Sequence, residues 1–140
     1  MPDRVFVDTN ILIYAHDLDA GTKHEISRRI VVELWEKRSG ALSTQVLQEF
    51  YINITKKIAA PLAPATARNI ISTYFSWRVE EIHPDSILQA SEISEKHNLS
   101  FWDALIVVAA RAANAAAILT EDLNAGQVIE GIVVNNPFTP

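Results

Sequence analysis

Apolar residues along this chain form two kinds of segment that alternate from one end to the other. Short apolar runs rich in β-branched or aromatic residues predict buried strands at residues 4–7, 41–42, 78–82, 117–119 and 131–134. Between them, apolar residues recur at helical spacing and predict helices over residues 10–16, 22–38, 43–57, 64–76, 84–97 and from 100 onwards. Alternating strands and helices predict an α/β fold, with a mostly parallel sheet that helices cover on both faces.

Several helix boundaries carry local signals of their own. The segment from Thr22 to Glu25 has the spacing of a capping box at a helix start. Gly40 follows this helix and is expected to end it. Pro64 and Pro84 each suit the first turn of a helix, where a missing N–H is tolerated.

The composition predicts one soluble domain over residues 1–140. The chain has no cysteine, which excludes disulfides, thiolate zinc sites and thiol catalysis. No repeat or linker divides it, the first fifteen residues do not resemble a signal peptide, and no apolar run approaches the ~20 residues of a membrane span. We therefore expect a cytoplasmic protein without a membrane segment.

Four acidic residues occupy positions where parallel strands end or the following helices begin. Asp8 comes directly after the first predicted strand, and Asp122 lies three residues past Leu119, at the end of the fourth. Glu49 and Asp103 fall within the first two turns of two helices. The carboxyl ends of parallel strands meet at one edge of a sheet, so these four carboxylates are expected to converge there.

Carboxylates that converge in this way repel one another and favour a bound cation. Magnesium and manganese prefer oxygen ligands, and such ions activate water for in-line attack on a phosphodiester. The acids therefore predict metal-dependent hydrolysis of phosphodiester bonds.

Each acid also has a structural explanation when it is considered alone. Asp8 suits the N-cap of the helix that follows, and Asp103 completes a capping-box pattern with Ser100. Glu49 suits a solvated helix face, and Asp122 suits a turn before Asn124. The functional interpretation depends on all four occurring together in this order.

The sequence resembles the PIN-domain ribonuclease family, in particular its VapC-like toxin branch. The resemblance covers essentially the whole chain and is carried by the motifs VFVDTNILI at 5–13, STQVLQEF at 43–50, FWDALI at 101–106, ILTEDL at 118–123 and VVNNPF at 133–138. It implies a five-stranded sheet of order 3-2-1-4-5, with the four acids as catalytic and metal-binding residues. It further implies that Asn10 supports the first acid, that the hydroxyl of Thr120 forms hydrogen bonds within the site, and that Glu121 is an additional or substitute ligand.

The same resemblance implies an activity and partners. The expected activity is hydrolysis of RNA by a water activated by Mg²⁺ or Mn²⁺, leaving 5′-phosphate and 3′-hydroxyl ends. The expected partners are a small antitoxin protein and a second copy of the chain, in a homodimer. Residues 52–58 and 59–62 are candidate contact surfaces, although core packing also accounts for apolar residues there.

The net charge of −5 gives no support of its own to a nucleic-acid substrate. Without the four proposed ligands the charge would be −1, and bound divalent ions would reverse its sign locally. Lys56 and Lys57 are candidates for contact with RNA phosphates, but favourable placement at a helix C-terminus explains them as well. The histidines show no ligand spacing.

Three other functions compete with the nuclease. A phosphotransferase of the haloacid-dehalogenase type requires an acid two positions after the first, where this chain has Asn10. A receiver domain requires a late lysine, whereas the last lysine here is Lys96. A non-catalytic PIN-like binding or assembly module remains open, and Mg²⁺ binding would distinguish it from an enzyme.

Overall fold

Six strands form one sheet in the computed structural model, which describes residues 3–139. The strands are β1 (Arg4–Val7), β2 (Gly40–Ser43), β3 (Arg78–Glu80), β4 (Ala115–Leu119), β5 (Val128–Ile129) and β6 (Ile132–Asn135). Their order across the sheet is β3-β2-β1-β4-β6-β5, and every neighbouring pair is parallel except β5 and β6. The predicted order of five strands is confirmed, because the fifth predicted strand is β6.

The added strand β5 forms a tight antiparallel hairpin with β6 at one edge of the sheet. Glu130 and Gly131 make its turn, with φ values of 50° and 81°. Two successive residues with positive φ are typical of the turns that match the twist of a hairpin. A strand of two residues has no apolar periodicity, and for that reason the sequence did not predict it.

Six α-helices cover the sheet at the positions that the sequence predicted. They are α1 (Thr9–His16), α2 (Thr22–Lys37), α3 (Thr44–Lys56), α4 (Pro64–Thr73), α5 (Pro84–His97) and α6 (Phe101–Ala112). Short 3₁₀ turns follow α1 at Leu18–Ala20 and α4 at Tyr74–Ser76. The segment predicted as a single helix over 64–76 is therefore α4 followed by a 3₁₀ turn.

Both predicted boundary signals of α2 are wrong. Gly21 is the N-cap, with no side-chain hydrogen bond, so Thr22 does not begin a capping box. The helix ends at Arg38, which adopts the left-handed conformation with φ 54°. Gly40 instead begins β2, where the ring of Trp77 fills the space of the absent side chain: a Cβ there would lie 2.5 Å from ring atoms.

The core lies on both faces of the sheet. Phe6 and Val7 of β1 and Leu42 of β2 are fully buried, as expected of strands covered by helices on both sides. The helices contribute Phe50 of α3 and an uninterrupted buried segment of α6, residues 104–110. This packing fixes the strand ends that carry the acidic residues.

Within residues 3–139, no helix combines the length and the apolar character needed to cross a lipid bilayer.

Candidate active site

Asp8 lies directly after β1, where it is both the N-cap of α1 and a buried acid. Its side chain is 6% exposed. Oδ1 accepts a hydrogen bond of 2.7 Å from the main-chain N–H of Thr9, and Oδ2 accepts one of 2.8 Å from the hydroxyl of Thr120. The capping and functional interpretations of Asp8 are therefore compatible, because each uses a different carboxylate oxygen.

Burial raises the pKa of Asp8 from 3.8 to about 6. The hydrogen bonds from Thr120 and Thr9 act against this rise, whereas the negative charges of Asp122 and Glu49 add to it. The pocket thus holds a carboxylate whose negative charge is not fully compensated by the protein. A cation bound nearby would supply the missing compensation.

Glu49 reaches Asp8 through one intervening residue. The helix α3 that carries Glu49 starts at Ser43, whose hydroxyl accepts a hydrogen bond from the N–H of Val46. The hydroxyl of Thr9 donates a hydrogen bond of 2.7 Å to Oε1 of Glu49. Thr9 therefore joins the acids of β1 and α3. Its position between Asp8 and Asn10 was the only sequence signal for this role, and the sequence analysis missed it.

Asp122 is held by Asn10 and Thr120. The Asn10 amide donates hydrogen bonds to Oδ2 of Asp122 at 2.9 Å and to Oγ1 of Thr120 at 3.2 Å. The same Oγ1 accepts the main-chain N–H of Asp122 at 3.1 Å while its proton is donated to Asp8. The side chains expected to support the site are thus in contact with two of its acids.

Asp103 lies in the first turn of α6 and is not part of the hydrogen-bonded set formed by the other three acids. The amide of Gln45, one turn before Glu49, donates to the main-chain oxygen of Trp102 at 3.4 Å and so places the start of α6 beside α3. The hydroxyl of Ser100 caps this helix by accepting the N–H of Asp103 at 3.1 Å. The Asp103 carboxylate forms no hydrogen bond with any residue of the described chain.

Glu121 points away from the neighbouring Asp122. Its carboxylate accepts hydrogen bonds from the hydroxyl of Tyr14 and from the ammonium of Lys23, the latter at 2.7 Å. Lys23 also lies 5.0 Å from the centre of the Tyr14 ring. In this arrangement Glu121 fastens the loop after β4 to α1 and α2 and does not face Asp8.

An open groove of about 460 Å³ runs beside these acids. Glu49 and Asp122 stand in its wall with Thr9 and Asn10. The remaining lining residues come from α1, α3 and the residue after α3: Ile13, Gln48, Ile52, Asn53 and Lys57. The groove opens to solvent, so an extended polymer has access to Glu49 and Asp122.

The chemistry of the side chains at the site suits a divalent cation that prefers oxygen. The side-chain groups joined to Asp8 and its neighbours are the carboxylates of Glu49 and Asp122 and the hydroxyls of Thr9 and Thr120, and no histidine or cysteine is among them. Within residues 3–139, no three acidic or histidine side chains already form a complete metal-binding group. Retained water ligands, which are usual for magnesium, would therefore complete the coordination.

Comparison with known protein families decides which family this arrangement belongs to. The PIN domain family model matches residues 5–129, which is most of the chain. The chain belongs to the PIN domain family. Comparison with curated protein sequences finds no match.

Several solved structures share the fold of this PIN domain. VapC20 of Mycobacterium tuberculosis, described as a toxin that cleaves the sarcin-ricin loop, is 23% identical with a TM-score of 0.63, over 81% of this chain and 86% of its own. A toxin–antitoxin complex from Klebsiella pneumoniae is 20% identical with a TM-score of 0.69, over 96% and 98%. A DNA-bound VapBC from Salmonella typhimurium is 17% identical with a TM-score of 0.67, over 97% and 99%.

Proposed function

We propose that this PIN domain is an endoribonuclease that depends on Mg²⁺ or Mn²⁺. The observation that carries the proposal is the hydrogen-bonded set of Asp8, Glu49 and Asp122 at the carboxyl edge of the sheet. Three acids linked through shared hydroxyl and amide groups destabilise the folded protein in the absence of a cation, because their negative charges repel one another. Membership of the PIN domain family supports RNA as the substrate.

The residues of the site have distinct roles in this proposal. Asp8 and Asp103 are the principal metal ligands, and Asp122 and Glu49 complete the site directly or through water. A divalent cation bound there supplies a water of lowered pKa and stabilises charge on the leaving oxygen. Thr120 and Asn10 orient Asp8 and Asp122 by donating to their oxygens, in the way that outer hydrogen bonds orient metal ligands.

We further propose that the protein is the toxin of a toxin–antitoxin pair, acts in the cytoplasm and forms a homodimer. Structural neighbours described as toxin–antitoxin or VapBC complexes support the antitoxin partner. Coexpression of the chain with a small protein encoded beside its gene, followed by copurification, tests the antitoxin. A chain that is expressed freely without the small protein and does not copurify with it contradicts the antitoxin, and recovery of a stable monomer contradicts the homodimer.

Mapping the ends of cleaved RNA tests the nuclease directly. Purified wild-type protein with total RNA and Mg²⁺ should produce 5′-phosphate and 3′-hydroxyl ends, and an excess of EDTA should abolish them. Asp103→Asn should lose the cleavage, whereas Asp19→Asn, at an exposed turn after α1, should retain it. Equal cleavage by wild type and Asp103→Asn would remove Asp103 from the site.

Calorimetry separates this enzyme from an inert PIN-like module. Titration of Mg²⁺ into metal-free wild-type protein should give a heat signal that saturates as the site fills, and Asp8→Asn should abolish that signal. If wild type binds no Mg²⁺ or Mn²⁺ and cleaves no RNA, the chain is a binding module and the proposed function is wrong.

A further inference from the structure

The groove beside the acids contains one cation, Lys57, in a wall that otherwise carries negative and neutral side chains. Glu49 and Asp122 supply the negative charge of this groove. Within residues 3–139, the Lys57 ammonium forms no hydrogen bond or ion pair, and neither of these two acids lies within bonding distance of it. Lys57 therefore has its charge available to a ligand that enters the groove.

The helix α3 explains how Lys57 comes to stand in line with the acids. Glu49, Asn53 and Lys57 follow one another at intervals of four residues, which places them on one face of the helix. Eight residues of helix span about 12 Å, so the ammonium lies at a distance from the acids along the groove. The backbone is anchored here as well, because the N–H of Lys57 donates to the carbonyl oxygen of Asn53 at 2.8 Å.

The neighbouring Lys56 shows that helix polarity alone does not account for this placement. Both lysines lie at the C-terminal end of α3, where the helix dipole favours positive charge. Both are exposed. The helix dipole stabilises both lysines, but only Lys57 lines the groove. The dipole therefore does not explain why Lys57 lies beside the acids.

We infer that Lys57 binds a backbone phosphate of single-stranded RNA a short distance from the bond that is cleaved. The inference rests on the proposed function and adds to it a binding position outside the acids. A strand whose scissile phosphate lies near Glu49 and Asp122 can continue along the Lys57 end of the groove. There the Lys57 ammonium attracts the phosphates that follow the scissile phosphate and so offsets their repulsion by the acids. The half-exposed side chain of Ile52, 44% exposed, offers an apolar surface to a base or ribose on the way.

The test is the salt dependence of RNA binding, measured in the Asp8→Asn background so that the RNA is not cleaved. A fluorescently labelled single-stranded oligoribonucleotide is titrated with Asp8→Asn and with the double variants Asp8→Asn/Lys57→Gln and Asp8→Asn/Lys56→Gln, at several salt concentrations. We expect Lys57→Gln to weaken binding about five- to tenfold and to lower the slope of log affinity against log salt by about 0.7, the loss of one phosphate contact on a single strand. Lys56→Gln should change neither quantity.

Cleavage by the parent protein keeps this inference separate from the proposed function. If the wild-type chain cleaves RNA and Lys57→Gln binds as Lys56→Gln does, the inference is wrong and the nuclease stands. If Lys57→Gln alone loses affinity while the wild-type chain cleaves nothing, Lys57 is a phosphate-binding residue and the nuclease is wrong. Equal losses in both lysine variants would indicate non-specific attraction and would overturn the inference.

Discussion

Thr9 holds Asp8 and Glu49 together: its N–H donates to Oδ1 of Asp8 and its hydroxyl donates to Oε1 of Glu49, each at 2.7 Å. The first contact also caps α1, so the fold would form it for reasons of local structure. The second contact joins residues forty positions apart and has no such explanation. Thr9 is therefore a positioning residue for the site.

Thr9→Val should lower metal-dependent RNA cleavage about tenfold while leaving the fold intact. Valine keeps the shape of threonine and the N–H donated to Asp8 but cannot donate to Glu49. Loss of an outer hydrogen bond of this kind typically costs about 10–100-fold in metal affinity or activity. The measurement is the cleavage rate as a function of Mg²⁺ concentration.

Two matched variants control the Thr9 experiment. Thr9→Ser retains the hydroxyl and should restore cleavage to near the wild-type rate. Thr55→Val removes a hydroxyl on α3 that bonds only the main-chain oxygen of Tyr51, and it should leave cleavage unchanged. Loss of activity in all three variants would mean that Thr9 acts through general stability.

Asp8→Asn should stabilise the metal-free protein at pH 7.5. Folding raises the pKa of Asp8 to about 6 because the carboxylate is buried, so above pH 6 its charge destabilises the fold. Asparagine removes the charge and still accepts from Thr9. Its amide nitrogen would meet the Thr120 oxygen, which already accepts two hydrogen bonds, so loss of the Thr120 contact offsets part of the gain. The expected gain is about 1–3 kcal/mol in the free energy of unfolding, measured by urea denaturation in EDTA.

Mg²⁺ should make wild type more stable than Asp8→Asn, which is the reverse of their order in EDTA. A cation bound at the acids would stabilise the folded wild type by mass action, and Asp8→Asn lacks one of the two proposed principal ligands. Thermal unfolding should therefore shift upward with Mg²⁺ for wild type and stay constant for Asp8→Asn. A destabilised Asp8→Asn in EDTA would show that the carboxylate is fully compensated by the protein itself.

Glu121→Gln should retain metal-dependent cleavage within a few-fold of wild type. The structure engages Glu121 with Lys23 and Tyr14, whereas the adjacent Asp122 lies in the groove. The exposed part of such an ion pair contributes little to stability, so the variant should also fold normally. Asp122→Asn, the matched change one residue later, should lower cleavage about 100-fold or more. Loss of Mg²⁺ binding in Glu121→Gln would restore Glu121 as a ligand.

His16 should make the protein less stable as the pH falls from about 6.5 to about 4. Burial, with a smaller contribution from the charge of nearby His24, lowers the pKa of His16 to about 4. Below pH 6.5 the unfolded chain takes up a proton that the folded protein does not, so protonation favours unfolding in this range.

Comparison with His16→Gln isolates this contribution, since the opposite effect of Asp8 is common to both proteins. Glutamine can keep a hydrogen bond to the hydroxyl of Tyr74, which His16 contacts at 2.7 Å. Between pH 7 and pH 5, wild type should lose about 1–2 kcal/mol of unfolding free energy relative to the variant, measured by denaturant titration. Parallel pH profiles for the two proteins would exclude His16 as the cause.

The sequence predicted the site as far as strand ends determine it. Asp8 and Asp122 follow β1 and β4, which are parallel neighbours, so their proximity follows from topology. Thr120 donates to Asp8, whereas Asn10, which the resemblance assigned to the first acid, donates to Asp122 and to Thr120.

The sequence did not predict the direction in which individual side chains point. Glu121 and Asp122 are adjacent and chemically alike, but Tyr14 and Lys23, about a hundred residues earlier, bind the carboxylate of Glu121 and not that of Asp122. Asp103 and Glu49 were both predicted from their place in the first two turns of a helix. Unlike Glu49, Asp103 has no side-chain hydrogen bond to any residue that the structure describes. Its place in the site therefore stays a prediction.

Gly40 shows the same limit within the fold. A glycine after a helix commonly ends it, but here tertiary packing uses the missing Cβ to admit the ring of Trp77. Nothing in the local sequence distinguishes these two uses, because the partner lies thirty-seven residues later. Local patterns thus placed the helices and five of the six strands, and the role of Gly40 was missed because a distant residue decides it.

The most direct test of the central claim is cleavage of a defined single-stranded RNA by purified wild type and Asp8→Asn across a range of Mg²⁺ concentrations. Circular dichroism and thermal unfolding confirm beforehand that both proteins are folded. The account predicts Mg²⁺-dependent cleavage by wild type and its loss in Asp8→Asn at every Mg²⁺ concentration. Cleavage by folded Asp8→Asn at the wild-type rate, with the same dependence on Mg²⁺, would contradict it.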